Sequence, residues 1–265
     1  MAGSRYLIVN ADDFGFTRDV NQGIVDAHKN GILTATTLMA NGDAFEDAVR
    51  LAAQTPTLDV GCHLVLVQGD SVLTRKTLPP GPRELIGALL AARLDPYLEF
   101  KAQIEKLLRA GVLPSHLDTH KHTHVLPAVF SAAVRVAEEF SVPFIRLPFD
   151  SGWAPVRPLD RWYRRKLSLR KLGSTDHFVG FRLTDHLSEE TLAQTVRALG
   201  RGWTELMCHP GYLGDELRGA QTRLKEERQR ELNALTSPSV RQLVTECNVV
   251  LGNYRELAEF RRSAG

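Results

Sequence analysis

Three cysteines in 265 residues are too few for a disulfide framework. Cys62, Cys208 and Cys247 also stand too far apart for a CxxC metal motif. Stability therefore has to come from a core, and the thiols fit a reducing cytoplasm. Excess charge is missing too: 33 basic against 31 acidic residues leave a net +2. Nucleic acid is not an expected partner, because phosphate binding shows as a strong basic excess on one face. No apolar run approaches the ~18 residues of a membrane span. Met1-Ala2-Gly3-Ser4-Arg5-Tyr6 leads straight into Leu7-Ile8-Val9 without the regions of a secretory signal. The expectation is a soluble, cytoplasmic protein.

What is present is a rhythm. With 43% hydrophobic residues the chain can bury a sizeable core. Apolar runs at 6–9, 34–40, 58–67, 115–120, 142–147, 178–183, 204–208 and 248–251 read as strands. Helical patterns occupy 20–30, 44–53, 84–92, 96–110, 127–140, 159–172, 188–199 and 223–235, with a closing helix to about 262. Residues 68–95, with Pro79, Pro80 and Pro82, read as a long irregular excursion holding one short helix. Strand–helix alternation predicts a parallel sheet with helices outside. About seven such units without repeats or a convincing linker predict one α/β domain over 1–265, a closed or nearly closed (β/α) barrel.

Unusual polar clusters fall where apolar strands stop. Leu7-Ile8-Val9 ends in Asn10-Ala11-Asp12-Asp13-Phe14-Gly15, Val60-Gly61-Cys62 leads to His63, and His116-Leu117-Asp118-Thr119 leads to His120, His122 and His124. Met207-Cys208 ends in His209-Pro210-Gly211. In an α/β barrel the carboxyl ends of the strands share one face and carry the active site, so these distant segments converge. Adjacent aspartates in a regular strand point to opposite sides; both reach the site only if the strand ends there, and Gly15 permits a turn. The bland reading of the pair is a solvated turn or a helix cap. Four of the chain's nine histidines lie within nine residues. An extended chain would put His116, Asp118, His120, His122 and His124 on one side. Imidazole with carboxylate suits Zn²⁺ and similar divalent ions, and carboxylate with more water suits Mg²⁺; the alternative is a surface cluster without an ion. His63 lies in a strand buried on both faces, where a free imidazole is costly and a metal would compensate. Cys62 and Cys208 each precede a site histidine and should point into the core. His209 reads as a general acid, since histidine alone titrates near neutrality without help, or else as a supporting structural residue.

These residues together resemble the YdjC family of carbohydrate deacetylases, which includes chitooligosaccharide deacetylases and a hopanoid-biosynthesis branch. The resemblance rests on stretches 7–15, 30–37, 60–64, 116–127 and 205–211 and spans about residues 5–215. It implies an irregular (β/α) barrel like that of polysaccharide deacetylases, and hydrolysis of the N-acetyl group of a GlcNAc-type sugar. Asp13, His63 and His120 match the family's metal ligands, for one divalent ion, Mg²⁺ or Zn²⁺. Asp12 matches its base. The family's run often carries histidine where Lys121 stands here.

On this reading Asp12 takes the water's proton and His209 protonates the departing nitrogen. Asp118 and His122 are candidates to orient His120, His124 belongs to the same supporting group, and Phe14, Trp153 and Tyr212 are candidates for a sugar-stacking wall. The rivals are another barrel metal hydrolase, a phosphoesterase or cyclic amidase with two metals, and a non-catalytic carbohydrate-binding protein. The expected partners are an N-acetylated sugar and at most a second copy of the chain as a homodimer, without stable membrane insertion. Arg161, Arg164, Arg165, Lys166, Arg170 and Lys171, interleaved with Trp162, Leu167 and Leu169, read as a solvated helix or as a membrane-surface helix beside the site mouth that recognises an anionic or lipid-linked substrate.

Overall fold

A computed structural model describes residues 3–150 and 154–264. Its first half runs β1 (Arg5–Phe14), α1 (Arg18–Asn30), β2 (Ala35–Met39), α2 (Phe45–Gln54), β3 (Asp59–Leu64), α3 (Pro82–Leu90), α4 (Pro96–Arg109), β4 (His116–Thr119) and α5 (Pro127–Glu139). The second half runs β5 (Phe144–Ile145), α6 (Arg157–Leu169), β6 (His177–Val179), α7 (Glu189–Ala198), β7 (Gly202–Cys208), α8 (Asp215–Gly219), α9 (Glu226–Leu235), α10 (Pro238–Glu246), β8 (Val249–Leu251) and α11 (Tyr254–Ala264). The helices start where local chemistry starts them. Thr17 accepts from the Val20 N–H at the head of α1, Asp95 caps α4 ahead of Pro96, and Ser188 forms a capping box with Thr191 at α7. Among the described residues no helix is long and apolar enough to cross a membrane.

All strand pairings are parallel, in the order β5-β4-β3-β2-β1-β7-β6, and the sheet curls into a (β/α) half-barrel. β1 is its axis. β7 follows it from Arg5 to Ala11, while β8 pairs with Arg5 to Leu7 and β2 takes over from Asn10. Alternation along β1 sends Leu7, Val9 and Ala11 into the main core under the helices and Ile8, Asn10 and Asp12 into the barrel. Ile8, Ala35, Phe144, Trp203 and Tyr254 form an apolar floor at the amino ends of the strands. Polar groups stack above it.

The expected strand–helix order holds, with shorter strands. The 178–183 run stops at Val179 because the Asp150 carboxylate accepts the Gly180, Phe181 and Arg182 N–H groups at 3.0, 3.1 and 2.8 Å. Helices α8 and α10 were not anticipated. Nor was the 3-10 turn His120–Val125, where an extended run had been expected: Lys121 and His122 take left-handed φ values of 52° and 50°. The histidines therefore do not share one side.

Gly23, buried in α1, meets the loop after β7 so closely that an added Cβ would stand 2.6 Å from the Gly211 Cα. Gly87 in α3 has nothing within 4 Å of such an atom. One chemical change thus has opposite expected signs. Gly87→Ala should stabilise by up to about 1 kcal/mol through helix propensity, and Gly23→Ala should destabilise by about 1–3 kcal/mol through overpacking. Melting temperatures of both variants check this; equal shifts would show that the α1 contact is slack.

Candidate active site

Both aspartates at the end of β1 reach the barrel mouth because the strand is irregular there. Its register with β2 shifts between Ala11 and Phe14, and Asp13 takes φ 68°, a left-handed conformation that Asp tolerates better than most residues. The turn thus begins at Asp13, before Gly15. Asp13 Oδ1 lies 3.3 Å from His63 Nε2 and 3.1 Å from His120 Nδ1, and the two nitrogens are 3.2 Å apart. Ligand atoms sharing one ion at about 2.0–2.2 Å stand roughly 3–3.4 Å apart. The donor set, one carboxylate and two imidazoles, fits a single divalent cation.

The charge balance agrees. Asp12, Asp13, Asp118 and Glu205 are buried against two buried guanidiniums, Arg146 and Arg228. With all four carboxylates ionised, the two guanidiniums leave two negative charges for the histidine rings or a bound cation to balance, because burial makes unbalanced charge expensive. A second grouping, Asp12 with His63 and Asp118, is also compact. Arg146 already fills it: its guanidinium binds both Asp12 oxygens at 2.7 and 2.8 Å, Asp118 Oδ2 at 2.8 Å and Glu205 Oε1 at 2.7 Å.

Neighbours fix each donor. Asp118 Oδ1 takes His63 Nδ1 at 2.7 Å, and the Thr37 hydroxyl donates to Asp118 Oδ2. Asp118 therefore orients His63, where the sequence had suggested His120. The contact to His120 Nε2 comes from Gln68 Oε1 at 3.2 Å. Glu99 on α4 secures the 70s loop beyond Gln68 by accepting from Ser71 Oγ and the Val72 N–H. Arg228 on α9 donates to Asp13 Oδ2 at 2.5 Å. Burial works against the Asp13 charge, but Arg228 and the two histidines hold its pKa well below the usual range. Burial also opposes ionisation of Asp12, and Arg146 overcomes it, keeping that carboxylate charged.

His209 follows β7 and lines the same cavity of ≈ 710 Å³ as Asp12, Asp13, His63 and His120. Burial lowers its pKa to about 4 against the pull of Asp12 and Asp13, so its ring is neutral at rest, and its Nδ1 has no partner. The Glu231 carboxylate accepts the His209 backbone N–H at 2.5 Å, and burial raises that carboxyl to about 7.

The YdjC-like protein family matches residues 6–246. The chain belongs to the YdjC-like family. It is 35% identical over 260 residues, covering 95% of this chain and 98% of its relative, to a Geobacillus stearothermophilus protein named carbohydrate deacetylase. It is 38% identical over 264 residues to carbohydrate deacetylase 2 of Listeria innocua, at 95% and 98% coverage. Among solved structures, a protein from Enterococcus faecalis named for cellobiose-phosphate cleavage superposes with TM-score 0.80 at 26% identity, covering 96% of this chain and 99% of that one. A family 4 carbohydrate esterase from Streptomyces lividans, solved with acetate, matches at TM-score 0.52 and 13% identity over 94% of this chain and 92% of that one, a likeness of fold alone.

In this YdjC-like chain several candidate residues lie elsewhere. Phe14 is fully buried in the core, because the left-handed turn at Asp13 rotates it away from the mouth. Tyr212 donates its hydroxyl to Asp26 on α1 and does not line the cavity. Trp153 lies outside the described residues. His124 is buried below the site, its Nδ1 on the Thr119 hydroxyl and its Nε2 donating to the Arg146 carbonyl at 3.0 Å. His122 stands on the cavity wall beside Phe181, with ring centroids 5.1 Å apart. No described residue of α6 lines the cavity, so the basic helix is not at the mouth. Sequence reasoning missed Arg146, Arg228, Gln68, Glu205 and Glu231; a charge closing an apolar strand run was the available signal for Arg146.

Burial alone would lower the His63 pKa, but Asp118, Asp13 and Asp12 outweigh it and hold the ring protonated up to about pH 10. A cation must displace that proton. Calorimetric Zn²⁺ titrations near pH 7 in buffers of different ionisation enthalpy should show about one proton released per ion, with affinity rising as pH rises. Asp13→Asn, His63→Ala and His120→Ala should each lose most of the ion, while Asp118→Asn should weaken it by about 10–100-fold. Binding with no proton release, or left intact in all three ligand variants, would place the ion elsewhere.

Proposed function

We propose that this chain is a carbohydrate deacetylase, a metal-dependent hydrolase that removes the N-acetyl group of a GlcNAc-type sugar. One observation carries the reading: the Asp13, His63 and His120 donor set shares a cavity with a charged Asp12 and a neutral His209. The names of the Geobacillus and Listeria relatives support it. Asp13, His63 and His120 would hold one divalent ion, Zn²⁺ or Mg²⁺. Such an ion polarises an acyl oxygen and acidifies water.

The remaining steps belong to the chain. Asp12 Oδ2, which Arg146 engages through one hydrogen bond, keeps a lone pair to accept the attacking water's proton. Arg146 makes Asp12 a weak base while keeping it oriented and charged. His209 rests neutral, so the proton it gives the leaving amine is the one Asp12 takes from the attacking water; once Asp12 has handed it on, its restored charge favours the imidazolium that forms before the amine departs. His122 and Phe181, which line the cavity, replace Phe14 and Tyr212 as the side chains placed to meet the substrate. Lys121 and Arg223 line the same cavity and suit a sugar carrying an anionic group, in keeping with the name of the Enterococcus relative. The free thiols Cys62, Cys208 and Cys247 support a reducing, cytoplasmic setting. A two-metal phosphoesterase is disfavoured because Arg146 occupies the second carboxylate grouping.

Acetate release from a panel of N-acetylated sugars, with and without chelator, tests the proposal; phosphate release, or no acetate with any metal, would end it. Asp12→Asn should keep the ion and lose about 10²–10⁴ in rate. It also unbalances the buried Arg146, so its melting temperature should fall by the equivalent of about 3–5 kcal/mol. His209→Ala should keep the ion as well and be least impaired on activated acetate esters, whose leaving group needs no proton. An Asp12→Asn enzyme without metal but with a normal melt would exchange the roles of the two aspartates.

A further inference from the structure

A second cavity, of ≈ 790 Å³, opens on the opposite rim, around the amino end of β5 and the segment leading into β6. It lies at the seam of the half-barrel. β5 and β6 are the sheet's two edges, and beside them an isolated bridge joins Phe144 to Gly173. Arg164, Lys171, Arg261 and Arg262 line this cavity, and no described carboxylate does. Arg164 is engaged by Asp160, the Ser174 hydroxyl and the carbonyls of Thr175 and Asp176. Arg261 donates to the Ser174 carbonyl at 2.5 Å, lies 3.8 Å from Asp176 Oδ1, and sits over the Phe144 ring at 5.4 Å. A side chain at Gly173 would collide with that guanidinium. Lys171 and Arg262 have no side-chain partner among the described residues.

Arg261 and Arg262 in the last turn of α11 are ordinary complements to a helix dipole, each worth about 0.3–1 kcal/mol, while Arg164 stands mid-helix in α6 and Lys171 just beyond its end. That accounts for them singly. Two helix ends supply roughly one negative charge in total, and Asp160 and Asp176 answer Arg164 and Arg261 only from outside the cavity lining. Set against that, Lys171 and Arg262 leave a positive excess of about one charge at a recess that Ser174 and Leu172 also line. We propose that this recess binds a soluble organic phosphate, with Lys171, Arg262 and the Ser174 hydroxyl as the groups that meet the dianion. Arginine with lysine beside a hydroxyl is the chemistry that grips a phosphate monoester. The ligand would tie α6, α11 and the 173–176 segment together, far from the catalytic rim.

Glucose 6-phosphate titrated calorimetrically into the metal-loaded full chain at low salt tests this. A site that survives Arg223→Ala is expected, accompanied by a rise in melting temperature, and any second site in the catalytic cavity is lost in that variant. Lys171→Ala combined with Arg262→Ala should weaken it at least about tenfold, one to two charge-assisted bonds being lost. Lys171→Arg with Arg262→Lys should keep it, as should Arg223→Ala in the catalytic cavity. Both cations are exposed and unpartnered, so the alanine variants should fold. The proposal is overturned by any of four results: glucose 6-phosphate does not bind, the double alanine variant binds it normally, Arg223→Ala abolishes it, or the protein binds phosphatidic acid vesicles but not the soluble ester.

Discussion

A guanidinium with no exposed surface, Arg146, makes this barrel possible. Asp12, Asp118 and Glu205 converge inside a ring of parallel strands, and without a cation among them their burial would be prohibitive. Removing one partner from such a cluster typically costs about 3–5 kcal/mol, although replacing the whole cluster with apolar residues often costs nothing. The cluster is therefore understood better by what it positions than by what it stabilises. Through Asp118 it sets the ring of His63, through Asp12 it fixes a carboxylate at the mouth, and through Glu205 it takes the Tyr254 hydroxyl and seals the polar layer onto the apolar floor.

The two aspartates at the end of β1 show how adjacent residues acquire different chemistry. Asp12 answers to Arg146 below; Asp13, with its left-handed φ inside the register shift, meets Arg228 and two imidazoles above. One backbone irregularity separates two environments that sequence alone presents as a repeated letter.

The architecture was readable because hydrophobic period and turn residues agreed along most of the chain, and the strand-end polar groups marked the rim where Asp12, Asp13, His63, His120 and His209 share one cavity. The misses have physical causes. Alternating histidines look the same whether the chain continues straight or coils, and nothing in Lys121 or His122 advertises a left-handed backbone, which non-glycine residues seldom adopt. Arg228 and Glu231 sit three apart on α9, among Glu226, Glu227, Arg230 and Gln229, so a buried polar face reads as a solvated one. Phe14 looked exposed because it stood beside two charges. Only the twist at Asp13 decides where it goes.

The three-way pairing of β1 bears on how the chain reaches this state. Its first strand cannot fill both edges until β7 and β8, some two hundred residues later, have been made. Contacts this distant in sequence are slow to form and leave a strand edge unpaired meanwhile. During synthesis the four strands β1 to β4 can assemble early, but one side of β1, with its buried-type Ile8 and Val9, waits open. Folding of this protein is therefore committed late, and a nascent chain stalled before β7 is an aggregation hazard.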